Sequence, residues 1–138
     1  MNAPLYTTEI LRLAASLGEP RELERQDGRA ELRSPTCGSR IATSVELDDA
    51  GRVAALSQQV HACAFGQASA ALLERGATGR TRDEVEQVLV QLGDWLGGDG
   101  TEPGWGFSAL APARSRVSRH GAILLPFRAL LAAIDSTR

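Results

Sequence analysis

Apolar positions along the chain follow two different periods. Between Leu5 and Leu17, the residues Ile10, Leu13, Ala14 and Leu17 recur at i, i+3, i+4 and i+7, one face of an α-helix. Gly18 and Pro20 stop that pattern, and the polar stretch EPRELERQDG follows as a connector. From Gly28 the period falls to two. Ala30 and Leu32 alternate with Arg29, Glu31 and Arg33, and Ile41, Thr43, Val45 and Leu47 share a face. Asp48–Arg52 reads as a hairpin turn in which Gly51 accepts a positive φ. Three antiparallel strands are therefore predicted over roughly 28–60.

The helical period then returns. CAFGQASAALLERG sets Ala64, Ala68, Ala71 and Leu72 on one narrow face of small residues, with Gly76 expected as its C-cap. Thr81 and Glu84 form a capping box, and Val85, Val88, Leu89, Leu92 and Leu96 keep helical spacing after it. GGDGTEPGWG is the strongest loop signal, with Trp95, Trp105 and Phe107 expected to staple it to the core. The last pattern, HGAILLPFRALLAAI, carries Ile123, Phe127, Leu130, Leu131 and Ile134 on one face. Pro126 suits a first turn or a kink rather than an undisturbed interior. The order α-β-β-β-α-α-α segregates strands from helices. That predicts an α+β fold, a three-stranded antiparallel sheet covered on one face by helices.

Composition narrows the classes. A chain of 138 residues with 43% hydrophobic content supports one domain with one core. All 15 basic residues are Arg, and the net charge of -2 gives no electrostatic case for nucleic acid. No uninterrupted run of about 18 apolar residues occurs, so no membrane span is expected. MNAPLYTTEILRLAAS lacks a basic region followed by an apolar stretch, so a cytoplasmic protein with reduced thiols is expected. The clustered Arg114, Arg116, Arg119 and Arg128 read as a solvated basic face. Asp48 and Asp49 read as turn chemistry rather than acid–base catalysis.

Four side chains are candidate soft or borderline ligands: Cys37, His61, Cys63 and His120. Cys37 precedes Gly38 in the link between the first two strands. Cys63 falls at the start of a helix, where free amides and the helix dipole attract anionic sulfur. His120 stands at the entry to the last helix. His61 lies two residues before Cys63, so in extended backbone both side chains point the same way. Thiolates with one or two imidazoles match tetrahedral zinc or an iron–sulfur cluster. The spacing is not that of a zinc finger, and a buried, unreactive Cys or a hydrogen-bonded His is the alternative at each position.

SPTCGSRIATSVELDDAGRVAALSQQVHACAFGQASAALL resembles the central part of the NifU/IscU/SufU family of iron–sulfur cluster assembly scaffolds. The similarity extends over about residues 5–135 and implies that 1–138 is a single NifU-like N-terminal type domain with a SufE/NifU-like fold. It implies that Cys37 and Cys63 are the first two ligands of a transient cluster, or of iron or zinc, with His120 as a third. His61 is a further metal candidate. The resemblance implies a cysteine desulfurase and apo iron–sulfur proteins as partners, a scaffold rather than an enzyme, and a homodimer as a possible assembly. Alternatives within the resemblance are a zinc-dependent sulfur acceptor for the desulfurase and a module that kept the fold without the metal. Three departures stand out. Gly121 or Ala122 occupies the position of the family's third cysteine, Ser39 that of the aspartate in the turn, and Ala62 that of the glycine before the second cysteine.

Overall fold

The computed structural model describes residues 6–34 and 38–137. Helix α1 (Thr8–Ala15) is followed by strands β1 (Gly28–Arg33), β2 (Arg40–Leu47) and β3 (Val53–His61). Helices α2 (Ala64–Gly76), α3 (Arg82–Leu96) and α4 (His120–Asp135) complete the fold. The strands form one antiparallel sheet in the order β1-β2-β3. α4 packs across β1 and β2, and α2 lies between α1 and α4. The predicted α+β architecture, with helices on one face of the sheet, is the one observed.

Local chemistry accounts for the element ends. Thr7 caps α1 by accepting from Ile10 N at 3.1 Å. Thr81 and Glu84 form the reciprocal capping box on α3. Between β2 and β3, Asp48 Oδ1 accepts from both Ala50 N and Arg52 N at 2.9 Å, and Gly51 has φ 77°. The sheet alternates as its period requires. Ile41, Thr43 and Val45 are buried toward the helices, while Arg29, Glu31, Arg33 and Gln59 lie on the opposite face. The connector after α1 runs over that outer face, where Arg21 N donates to Ser57 Oγ and Arg25 N to Glu46 Oε1.

Four expectations need correction. α1 is shorter than the pattern, Thr8–Ala15, and Leu5 lies outside the described residues. α2 does not end in a glycine C-cap. Gly76 is its last residue and Ala77 the C-cap, and a Cβ at Gly76 would stand 2.5 Å from the Trp105 ring, so that glycine serves close approach. Nor is the buried surface of α2 one narrow stripe: Phe65, Gly66, Ser69 and Leu73 are buried beside the alanines, because α1 and α4 flank the helix. Pro126 sits inside α4. It gives no amide to the carbonyl of Ala122, and that oxygen lies against Gly66 of α2, where a Cβ would approach it to 3.3 Å. Three residues on, Ser69 Oγ donates to Ile123 O at 2.6 Å.

The segment before α4 carries structure that the pattern did not predict. Phe107–Ser115 is a 3₁₀ helix in which Phe107, Leu110 and Ala113 are buried. Those positions are three apart, the period of a 3₁₀ helix. Trp105 and Phe107 each stack at 5.7 Å on Phe127, and Trp95 is 94% buried, so the loop is stapled as expected. Arg114 leaves the basic face. It lies 5.0 Å over the Trp95 ring and donates Nε to Trp95 O at 2.8 Å. By length and composition Val117–Asp135 could cross a membrane, with a mean hydropathy of 1.3. Ile123, Phe127 and Leu130 are nevertheless fully buried, packed in the shared interior of sheet and helices.

Candidate functional site

β1 and β2 are joined at one end of the sheet by a segment whose base is closed by two hydrogen bonds. Ser34 N donates to Ser39 O at 2.8 Å, and Gly38 N to Ser34 O at 3.1 Å. Gly38 has φ 72°, a conformation that glycine takes without strain. Cys37 lies outside the described residues. Its chain neighbour Gly38 lines a cavity of about 500 Å³, together with Ser39, His61, Cys63 and Gln67. The loop between two strands and the entry of α2 thus meet at one opening.

Cys63 is the N-cap of α2, with φ -66° and ψ 173°. Its side chain caps no amide of the helix, and its thiol is half-buried and free of any disulfide. The backbone around it is held from both sides. Gln67 N donates to Cys63 O at 2.9 Å, and Gln67 Nε2 to Ala62 O at 3.1 Å. His61 ends β3, is exposed, and lines the same cavity, so the two-residue spacing does bring both side chains to one place.

His120 is placed differently. It begins α4, half-buried, and is not among the residues lining the cavity. Its Nε2 donates toward Ala113 O at 2.9 Å and Arg114 O at 3.1 Å. Two carbonyl acceptors fix the proton on Nε2, which leaves Nδ1 as the atom able to bind a metal. Its first role is therefore to secure the 3₁₀ segment against α4. Among the described residues no group of three or more His, Cys, Asp or Glu side chains is close enough to hold a metal ion.

One neighbour of the thiol escaped the sequence pattern. Tyr6 stands beside Cys63, with its ring edge-on to Phe65 at 4.9 Å. Burial holds its phenol pKa above the ordinary value. The charge of Cys63 and a side-chain hydrogen bond with it add to that rise, and Arg119 opposes it. Arg119, the N-cap of α4, thus acts on the Tyr6 phenol from the opposite direction to Cys63. No local motif marks Tyr6. Its position four residues before Ile10, the first of the helical apolar series, was the available signal, and only the packing of α1 on α2 makes it count.

No family model matches the chain, and no curated protein does. Solved structures do. The chain is similar to a nitrogen-fixing NifU-like protein (N-terminal) from Brucella abortus, with a TM-score of 0.88 and 29% identity over 96% of this chain and 94% of that one. It is also similar in fold to a putative iron–sulfur cluster assembly scaffold protein for the SUF system from Fervidobacterium islandicum. There the TM-score is 0.81 and the identity 17%, over 94% of this chain and 96% of the other. The first likeness runs nearly end to end in both chains and joins fold to sequence. The chain has the fold of NifU-like and SufU-type proteins and resembles the NifU-like one in sequence along nearly its whole length.

The departures from the family pattern now have positions. Ser39, in place of the aspartate, is 96% buried and lines the cavity beside Cys63. Of the two residues that could replace the third cysteine, Ala122 is fully buried against Gly66 of α2, whereas Gly121 is half-buried in the first turn of α4. Ala62 fills space next to Gly66, where a Cβ would come within 2.7 Å of its own. A groove along the exposed side of α3, lined by Asp83, Glu86, Val90 and Asp94, belongs to one helix face and holds no thiol or imidazole.

Proposed function

We propose that this protein is a scaffold or carrier in iron–sulfur cluster assembly, with the cluster as its cargo at the Cys63 cavity. The observation that carries the reading is the near-complete likeness to the NifU-like protein, with a cysteine at the helix entry and another next to the loop glycine of the same cavity. Cys63 and Cys37 are the thiolate ligands, and His61 is the imidazole best placed to join them. His120 follows through Nδ1 if α4 turns toward the cavity. Sulfur arrives as a persulfide from a cysteine desulfurase, and the finished cluster passes to apo iron–sulfur proteins. One chain has only two cysteines, so a second subunit or an external thiol completes the cluster's ligands.

The zinc-dependent sulfur acceptor receives less support. A closed zinc shell takes four ligands. Of the candidates, the described residues bring only His61 and Cys63 to the cavity.

Anaerobic reconstitution of metal-free protein with ferrous iron and sulfide tests the proposal. Visible charge-transfer absorption with stoichiometric iron and sulfide is expected for the wild type, and its loss in Cys63→Ser and in Cys37→Ser. No absorption in the wild type, or equal absorption in both variants, would overturn it.

A further inference from the structure

At the cavity end of the sheet the three strands finish on a row of basic side chains. Arg33 of β1 stands directly opposite Arg40 of β2, and Arg40 directly opposite His61 of β3. Residues opposite one another across a ladder share a face. This is the face turned away from the helices; the connector crosses it at Ser57 and Glu46, and its start at Leu17–Pro20 shares a groove with Gln59 and His61 at the edge of the row. Like charges placed directly opposite destabilise a sheet. Little on the surface relieves them. Arg40 Nε stands 3.8 Å from Glu31 Oε1, with both side chains more than 40% exposed, a weak pair in water. Among the described residues Arg33 has no ion pair. The row also borders the thiol cavity, which His61 and Ser39, the chain neighbour of Arg40, both line.

We propose that Arg33 and Arg40 form a docking surface for an acidic segment of a protein partner, seated beside the thiol cavity that His61 lines. Charge complementarity identifies the occupant. Two guanidinium forks side by side offer bidentate sites to carboxylates. Neighbouring strands are about 4.8 Å apart, so the two guanidinium groups stand within reach of two carboxylates on one extended segment. The chain as a whole carries -2, so its overall field does not draw in an acidic partner. Recognition is local and salt-sensitive, confined to the row. The proposal shares its location with the cluster-scaffold reading but not its chemistry, since it needs neither iron nor a free thiol.

The test uses a fluorescently labelled oligoglutamate peptide and metal-free protein, read by fluorescence anisotropy at low and at physiological salt. Binding that weakens with salt is expected for the wild type, with a loss of about tenfold or more in Arg33→Glu/Arg40→Glu. Arg116→Glu, on the exposed surface before α4, is expected to bind as the wild type does. A second variant, Arg33→Gln/Arg40→Gln, separates binding from folding. It is expected to lose the peptide while melting no lower than the wild type, because the opposed charges are gone. Unchanged binding in the double variants overturns the proposal. So does an equal loss in Arg116→Glu, or a lower melting temperature in the Gln variant. Tighter binding of inorganic phosphate or of an oligonucleotide through the same arginines would also overturn it by naming a different occupant. Because no iron or sulfide is present, failure here and failure of cluster loading are separate results.

Discussion

Asp27 ties the start of β1 to the end of β2. Its Oδ2 accepts from Leu47 N at 2.7 Å, its Oδ1 from Arg25 Nε at 3.0 Å, and its own N donates to Val45 O. The Leu47 amide holds its carboxyl below the ordinary carboxylate range; burial opposes it, and the hydrogen bond and charge of Arg25 add to the lowering. A carboxylate depressed on folding stabilises the protein above its unfolded pKa of about 3.9, and that contribution is lost as pH falls through the folded value. Asp27→Asn is therefore expected to melt lower than the wild type at neutral pH. The two melting curves should converge as the pH drops below about 4. A constant gap across that range would assign the effect to packing instead. Thr43 makes the opposite case. Its Oγ1 is fully buried without a partner, directly across the ladder from Gln58, whose Oε1 is also unpartnered. An unmade hydrogen bond of this kind costs about 1–3 kcal/mol. Thr43→Val, nearly isosteric, is expected to keep or raise stability by up to that amount in urea titrations. A loss of similar size would mean that a buried water serves the pair.

Among elements, the seam between α2 and α4 sets the distance from the Cys63 end of one helix to the His120 end of the other. Gly66 permits the approach, Ser69 fastens it, and Pro126 leaves the Ala122 carbonyl turned to the seam without a helical donor. Gly66→Ala would place a methyl group 2.7 Å from Ala62 Cβ and 3.3 Å from Ala122 O. Overpacking of this kind costs about 1–3 kcal/mol. Beyond that loss in chemical denaturation, cluster loading is expected to fall, because Ala62 is the residue next to Cys63. A variant that loses stability but loads fully would separate the seam from the site. These relations were only partly legible beforehand. Capping residues, turn aspartates and the strand alternation follow from short-range chemistry, and they appeared as expected. Gly76 and Pro126 were misplaced because each answers to a partner far along the chain, the Trp105 ring and helix α2.

At the scale of the molecule, the proposed cluster cargo takes more thiolates than the two cysteines of one chain supply. Cluster-loaded protein prepared without added thiol is therefore expected to elute at about twice the mass of the apoprotein in anaerobic size-exclusion chromatography with light scattering. The metal-free protein should stay at its own mass. Loaded protein at the monomer mass, with no thiol present, would leave His61 and His120 to complete the site.

The sequence by itself determined the element order, the α+β class, the face of the sheet that is buried and the residue types able to hold soft metal. Each of these depends on periodicity or on neighbours a few positions apart. Tertiary structure decided which candidates meet. It set His61 and Cys63 on one cavity, engaged His120 Nε2 with Ala113 and Arg114, and brought Tyr6 to the thiol. It also aligned Arg33, Arg40 and His61, because a row across strands is fixed by ladder register, which joins residues distant in the chain.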